Sequence, residues 1–169
     1  MRQGRGAGLT PPPQTRCVFR RDFSLGTLAA ETDGAHLTRL FLPCEIPATA
    51  LPCTADTPHA ALAHRAFDQI EEYLAGSRRC FDLPLQLPTL SPFAARIMTA
   101  MAAIPYGETR TYAQLGAARA AGRVCSLNPL PLIYPCHRVL PAAGGIGNYR
   151  GGTALKAALL QLERQARNT

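Results

Sequence analysis

The chain has 169 residues, 47% of them hydrophobic, which is enough to bury the core of one domain or of two small ones. This composition excludes a disordered chain, and no run of about 18 apolar residues is present that would form a membrane span. The net charge is +7 and 17 of the 18 basic residues are arginines, so the composition favours an anionic partner.

The first half of the chain has the pattern of a small sheet followed by one helix. Residues 1–15 include three consecutive prolines and are expected to form a disordered tail. Apolar residues from His59 to Leu74 recur at helical spacing, and Gly76 ends that helix. The Asp33-Gly34 step is a strong hairpin signal between the last two of three strand-like runs, which are Cys17–Asp22, Leu25–Thr32 and His36–Leu42.

One extended segment and three helices are predicted for the second half. Residues 81–87 look extended, and the flanking prolines limit this segment to the edge of a sheet. The Ser91-Pro92 pair opens a helix that runs to about Ala103. A second helix should begin near Thr111, and a last one should run from Thr153 to about Ala166.

The charge of the chain changes along its length, and we place a domain boundary near Leu87 to Leu90. Between Ile104 and Glu163 there are six basic residues and only two acidic ones. Codon bias would explain the use of Arg in place of Lys, but the excess positive charge still favours contact with phosphates. We therefore predict an N-terminal unit at residues 16–88 and a basic C-terminal unit at residues 89–169.

The cysteines do not form a recognisable framework. None belongs to a CxxC pair, and the start of the chain has no apolar run typical of a secretory signal, so we expect free thiols and a cytoplasmic protein. The spacing of Cys53, His59 and His64 is not that of a standard zinc site, and no metal is predicted. The six cysteines are Cys17, Cys44, Cys53, Cys80, Cys125 and Cys136.

The segment from Asn128 to Val139, NPLPLIYPCHRV, holds the most unusual chemistry in the chain. Cys136 follows an apolar run and precedes His137 and Arg138, and these neighbours favour the nucleophilic thiolate. A cysteine in apolar surroundings is nevertheless more often an inert core residue. Adjacent residues of an extended segment face opposite ways, so a water or a third group would have to link the thiol to the imidazole.

Several distinctive sequence blocks surround Pro-Cys-His-Arg-Val, the block that contains Cys136. They are Ile104–Thr109, Thr111-Tyr112, Asn-Pro-Leu-Pro from Asn128, Gly-Asn-Tyr-Arg-Gly-Gly from Gly147, then Lys156, Leu159-Leu160 and Glu163. In this order the blocks resemble the O6-alkylguanine-DNA alkyltransferase family, also called methylated-DNA–protein-cysteine methyltransferases. The resemblance covers residues 81–163 strongly and residues 17–80 in outline.

The resemblance implies an α+β fold in two parts. A three-stranded antiparallel sheet with a helix, of the ribonuclease-H-like type, would occupy residues 16–88. A mostly helical, winged-helix-like unit with a helix-turn-helix would follow at residues 89–169. The implied protein is a monomer that binds double-stranded DNA carrying O6-alkylguanine, with no membrane association and no cofactor.

The resemblance also implies catalytic roles. Cys136 would accept the alkyl group and keep it, so that each molecule acts once. His137 would draw the thiol proton through water while Glu163 orients the imidazole, an arrangement like that of cysteine hydrolases. Asn128 would hold the segment before the acceptor, and Tyr112 would donate a proton toward guanine N3.

The target atom lies inside a duplex, so the base must be flipped into a pocket. By resemblance, Arg119 would fill the gap in the duplex and Tyr149 would line the pocket. The residues alone leave open which alkyl groups fit and whether O4-alkylthymine is accepted. The other predicted contacts with substrate or DNA are Gly147, Arg150, Lys156 and Arg138.

The sequence departs from the family between Tyr112 and Arg119, where relatives are longer by about two helical turns. Either the first helix is truncated and Gly116 makes a tight turn, or the two helices fuse, and in that case Tyr112 and Arg119 could not both keep family positions. A second hypothesis is therefore a degenerate protein that binds alkylated DNA with little or no transfer. A third, a cysteine hydrolase, leaves the basic half and the two tyrosines unexplained.

Overall fold

Two tight turns allow the first three strands to pair with their sequence neighbours. The computed structural model describes residues 16–47 and 57–167. In it, β1 (Cys17–Phe23) pairs antiparallel with β2 (Gly26–Thr32), and β2 pairs antiparallel with β3 (Leu37–Phe41). The predicted three-stranded sheet is confirmed. The predicted tail at residues 1–15 lies outside the described residues.

The turn between β2 and β3 forms as the Asp-Gly step predicts. The Asp33 carboxylate accepts hydrogen bonds from the backbone N–H groups of Ala35 and His36, at 2.9 and 2.7 Å. Gly34 has a φ of +91°, a backbone conformation that side-chain-bearing residues rarely adopt. The turn therefore fixes the pairing of the two strands.

Helix α1 (Pro58–Leu74) covers the sheet with the apolar stripe seen in the sequence. The Thr57 side chain caps its first turn by accepting from the N–H of Ala60. Phe67 and Ile70 are buried and belong to the same core cluster as Leu28 of β2 and other sheet residues. The predicted helix is confirmed.

The free edge of β3 is covered by two segments from elsewhere in the chain. The Leu37 N–H donates to Pro84 O at 2.8 Å, and the Gln86 N–H donates to Leu37 O, so the segment at residues 81–87 is extended as predicted. The Leu40 N–H donates to Pro129 O at 2.8 Å. These bonds hold the segment that leads to Cys136 against the sheet. The division into two domains near Leu87 to Leu90 stays a prediction.

The second half is mainly helical, as predicted. Ser91 caps α2 (Pro92–Ala102). A short parallel pair, β4 (Arg110–Thr111) with β5 (Val139–Leu140), joins the chain before the helix-turn-helix to the chain after Cys136. The α+β class is thereby confirmed. The elements are α2 (Pro92–Ala102), β4 (Arg110–Thr111), α3 (Tyr112–Leu115), α4 (Ala118–Ser126), β5 (Val139–Leu140) and α5 (Thr153–Arg167).

The helix-turn-helix has a truncated first helix and is not fused. Helix α3 has four residues and is held by a capping box in which Thr111 Oγ1 accepts from the Gln114 N–H and Gln114 Oε1 accepts from the Thr111 N–H. Gly116 then turns the chain with a φ of +151°, and a Cβ there would lie 2.9 Å from Ile97 Cδ1. Only glycine fits this turn, and α4 begins two residues later.

One expectation about the thiols is corrected. Cys17 is disulfide-bonded, whereas we expected all six thiols to be free. Cys44, Cys80, Cys125 and Cys136 are free. The spacing of the cysteines in the sequence therefore did not reveal a disulfide that forms only when the chain is folded. Within the described part of the chain, no helix is both long enough and apolar enough to cross a bilayer.

Candidate functional site

A cavity of about 640 Å³ opens between the helix-turn-helix and the loop that precedes α5. Cys136 lies in its wall and is 6% exposed. Four other predicted site residues also line the cavity: Tyr112, Gly147, Tyr149 and Arg150. The lining residues are Tyr112, Gly122, Cys125, Ser126, Cys136, Pro141, Gly147, Asn148, Tyr149 and Arg150.

Asn128 connects the end of α4 to the sulfur of Cys136. Its side-chain amide donates to Tyr134 O at 2.7 Å and to Cys136 Sγ at 3.3 Å, and its Oδ1 accepts from the Leu130 N–H at 3.0 Å. Asn128 is itself buried. Asn128 thus holds the sulfur directly. From the sequence it was identified only by resemblance or as a turn former.

Cys136 begins a single 3-10 turn, Cys136–Arg138, and is not part of the extended segment that we expected. Burial raises the pKa of its thiol, and this effect outweighs the hydrogen bond from Asn128 and the influence of Arg150, Tyr149 and Lys156, which lower it. The resting group is therefore a neutral thiol. The thiolate inferred from the sequence neighbours is corrected, because desolvation penalises the anion more than its neighbours stabilise it.

His137, the residue after Cys136 in the chain, forms a buried pair with Glu163 of α5. His137 Nε2 lies 2.8 Å from Glu163 Oε1, and both side chains are 0% exposed. The carboxylate binds the protonated nitrogen, so Nε2 carries the hydrogen and Nδ1 keeps its lone pair. Nδ1 is buried and has no hydrogen-bond partner among the described residues. Burial lowers the pKa of His137 and keeps the ring neutral.

The Glu163 carboxylate is saturated with donors. The Tyr73 hydroxyl donates to Oε1 at 2.6 Å, the Gly107 N–H donates to Oε2 at 2.9 Å, and Arg138 donates to both oxygens. Burial alone would raise the pKa of Glu163, but bonds from His137 and Arg138 lower it to about 2. The group is thus a permanent anion at neutral pH.

Two predicted DNA contacts are corrected by the structure. Arg138 is buried between Glu163 and the Ile104 carbonyl, to which Nη1 donates at 2.6 Å. Lys156 is buried and its Nζ donates to Val139 O at 2.7 Å. Neither cation reaches the surface, so neither can bind a phosphate there. Sequence shows the charge of a side chain but not the carboxylate or carbonyl that it meets inside the fold.

Two tyrosines line the cavity. Tyr112 begins α3 and packs against Gly122 of α4, where a Cβ would lie 4.0 Å from the Tyr112 ring. Tyr149 lies near Cys136, and its buried hydroxyl makes no hydrogen bond of normal geometry. Burial raises the pKa of both phenols, so both remain neutral donors at physiological pH.

The remaining predicted residues lie at the surface or rim. Arg119 is exposed on α4, one turn before Gly122 in the cavity wall. Arg150 is only partly exposed, because Nε pairs with Glu45 and Nη1 donates to Ser126 O at 3.3 Å. Gly147 has a φ of +70°, and a Cβ there would lie 2.6 Å from Pro141. Glycine is therefore required at this point of the wall.

Sequence reasoning missed Tyr73, which contacts the His137–Glu163 pair from α1. The available signal was its place on the buried stripe of that helix, because a buried tyrosine hydroxyl usually has a partner. Sequence reasoning also missed Cys125, a second thiol in the cavity wall whose Sγ lies 3.8 Å from Met101 Sδ.

Within residues 16–47 and 57–167, no three histidine, cysteine or acidic side chains are grouped so that they could hold a metal ion. Of the residues considered for zinc, Cys53 lies outside this part of the chain. His59 contacts Thr32, and His64 lies 3.2 Å from an Arg21 nitrogen.

Comparisons with known proteins converge on one family. The model of the 6-O-methylguanine DNA methyltransferase DNA-binding domain matches residues 92–165. A methylated-DNA–protein-cysteine methyltransferase of Mycobacterium tuberculosis is 38% identical over 151 residues, which cover 85% of this chain and 89% of the relative. The constitutive methyltransferase of Bacillus subtilis is 37% identical over 150 residues, covering 83% and 90%.

Solved structures agree with the sequence relatives. The crystal structure of Mycobacterium tuberculosis OGT in complex with DNA superposes with a TM-score of 0.77 at 35% identity. The superposition covers 88% of this chain and 93% of that protein. An O6-methylguanine DNA methyltransferase from Methanococcus jannaschii, at 24% identity and a TM-score of 0.62, shares the fold.

Proposed function

The chain belongs to the methylated-DNA–protein-cysteine methyltransferase family, and on that premise we propose that it repairs DNA by moving an alkyl group from guanine O6 to Cys136. The observation that carries this proposal is a free, buried thiol in the wall of a cavity, where it accepts a hydrogen bond from Asn128. The next residue, His137, is paired with Glu163. The protein acts as a monomer on double-stranded DNA and needs no cofactor.

The DNA lies against α4, and Arg119 occupies the space left when the damaged base leaves the stack. Unstacking costs a few kcal/mol, and an exposed arginine in the gap offsets part of this cost. The base enters the cavity between Tyr112 and Tyr149, with O6 toward Cys136. Gly122 and Gly147 leave room in the walls because neither carries a side chain.

Transfer begins when His137 Nδ1 accepts the thiol proton through a water. The positive charge that forms on the imidazole is stabilised by the Glu163 anion at 2.8 Å from Nε2. The thiolate sulfur then attacks the alkyl carbon in line with the carbon–oxygen bond. A sulfur–carbon bond forms, the carbon–oxygen bond breaks, and its electron pair stays on guanine O6.

The departing guanine receives a proton at N3 from the Tyr112 hydroxyl, so that it leaves as a neutral base. His137 releases its extra proton through the water, Tyr112 regains a proton from solvent, and the alkyl group remains on Cys136 as a thioether. Because a thioether is a poor substrate for displacement, each protein molecule acts once. The neutral resting thiol is also protected from other electrophiles until a base fills the cavity.

The decisive test is stoichiometry on a duplex that contains one O6-methylguanine. We expect one methyl group per chain, located on the peptide that contains Cys136 by mass spectrometry, and a reaction that stops when the protein is consumed. Methylation at another residue or continued turnover would contradict the proposal. Tight binding of the lesion without any transfer would instead support a lesion-binding protein.

Replacing Arg119 by alanine should slow transfer from duplex DNA by roughly 10- to 100-fold, because an unfilled gap makes the flipped state less stable. Transfer from the same lesion in single-stranded DNA should change much less, since no base pair has to open. The matched control is Arg123→Ala, another exposed arginine on α4. Equal losses on both DNA forms would show that Arg119 contributes only general charge.

A further inference from the structure

One side chain from the N-terminal part of the molecule, Tyr73, contacts both His137 and Glu163. Tyr73, near the end of α1, donates its hydroxyl hydrogen to Glu163 Oε1 at 2.6 Å. The same hydroxyl oxygen lies 3.3 Å from His137 Nε2. Tyr73 thus meets both members of the pair, although 64 residues separate it from His137 and 90 from Glu163.

We propose that Tyr73 is a positioning residue for the alkyl-transfer reaction, holding Glu163 and His137 so that Nδ1 of the imidazole is the nitrogen that takes the Cys136 proton. This inference rests on the proposed function and deepens it. It assigns the N-terminal unit a part in the chemistry beyond support of the cavity.

The hydrogen-bond directions carry the argument. The phenol hydrogen is used in the short bond to Oε1, so the lone pairs of the phenol oxygen remain available to His137 Nε2–H. Nε2–H therefore lies between two acceptors, Glu163 Oε1 at 2.8 Å and the Tyr73 oxygen at 3.3 Å. Both acceptors favour hydrogen on Nε2, and neither would bind a bare nitrogen. The other nitrogen, Nδ1, is left with its lone pair.

Competition for Glu163 makes this second contact necessary. Arg138 donates to both carboxylate oxygens and the Gly107 N–H donates to Oε2. These donors compete with His137 for the Glu163 carboxylate, which orients the imidazole. Tyr73 fixes Oε1 from the side of α1. Its ring is held in turn by Phe81 and Tyr106, with both centroid distances at 5.6 Å.

The test replaces Tyr73 by phenylalanine, which removes the hydroxyl and keeps the ring. In single-turnover assays we expect the transfer rate at saturating DNA to fall by about 10- to 100-fold, with the affinity for lesion DNA unchanged. Nitrogen NMR of His137 should show hydrogen on Nε2 in the wild type and a mixture of tautomers in the variant. Placing 4-aminophenylalanine at position 73, which restores an N–H donor, should recover most of the rate.

Tyr106→Phe is the matched control. The Tyr106 ring contacts Tyr73 and lies 5.5 Å from the Arg138 guanidinium, but its buried hydroxyl has no partner among the described residues. Its loss should leave the rate within about twofold. A wild-type rate and unchanged His137 tautomer in Tyr73→Phe would overturn the proposal, as would an equal loss in Tyr106→Phe. Failure of the wild-type protein to transfer any alkyl group would count against the proposed function instead.

Discussion

Serine in place of Cys136 is expected to lower alkyl transfer by at least about 10⁴-fold while leaving lesion binding intact. An alcohol is much harder to ionise than a thiol, and oxygen is a poorer nucleophile than sulfur toward an alkyl carbon. The change removes little volume, and Asn128 can still donate to the new oxygen. We therefore expect the free energy of unfolding, measured with urea, to change by less than about 1.5 kcal/mol.

The measurement is loss of O6-methylguanine from a labelled duplex under single-turnover conditions, beside a binding titration with the same duplex. Cys125→Ser is the matched control, because Cys125 is also a free cysteine in the cavity wall. Burial raises the pKa of both thiols, to about 12 for Cys125, but of the two it is Cys136 that accepts the Asn128 hydrogen bond and precedes His137. Cys125 is therefore not expected to act as the nucleophile. Repair at the wild-type rate by Cys136→Ser would show that the acceptor lies elsewhere.

Glutamine in place of Glu163 is expected to damage both stability and chemistry. The variant leaves the buried Arg138 guanidinium without a counter-charge, and breaking such a pair typically costs about 3–5 kcal/mol. It also removes the anion that stabilises a protonated His137, so transfer should slow by roughly 10²-fold or more in the molecules that remain folded. Urea unfolding and single-turnover transfer below the unfolding transition measure the two effects separately.

Acid titration gives the same residue a second signature. The folded-state pKa of Glu163 is about 2, against 4.5 for the free group. The stabilisation, on the order of 3 kcal/mol, is thus complete above pH 4.5 and disappears as the pH falls toward 2. Burial lowers the pKa of His137, so its protonation also destabilises the fold as the pH falls below 6.5. Glu163→Gln should lose the steep dependence between pH 4.5 and 2.

A surface carboxylate provides the comparison for Glu163→Gln. Glu108 lies 3.6 Å from an Arg110 nitrogen and 3.9 Å from an Arg167 nitrogen, and its side chain is 35% exposed. Glu108→Gln should lower the free energy of unfolding by less than about 1 kcal/mol, because solvent screens such ion pairs. If the two variants unfolded alike, Glu163 would not be the buried anchor that the geometry indicates.

Local patterns in the sequence predicted the secondary structure well. The Asp33-Gly34 step, the stripe on α1 and the Ser91-Pro92 start each act within a few residues of themselves, so short-range rules suffice. The motifs around Cys136 predicted the family for a related reason. Each motif is a short, contiguous block, so it can be recognised without knowing the fold. Both kinds of signal can be recognised without knowing the tertiary contacts of the residues involved.

Long-range partners were not predictable in the same way. Arg138 and Lys156 carry charges that look suited to phosphate, and only the fold shows that Glu163 and the Val139 carbonyl bind them internally. Tyr73 meets Glu163 across 90 residues. The raised pKa of Cys136 likewise depends on burial, which is a property of the assembled core and not of neighbours in the chain.

The short turn at Gly116 leaves the local support of Tyr112 intact. Tyr112 is positioned by the Thr111–Gln114 capping box, which is complete before Gly116, and its ring faces Gly122 of α4 across the turn. A change in the length of that connection would therefore leave the start of α3, with Tyr112, in place. What such a change would move is α4, whose exposed face carries Arg119.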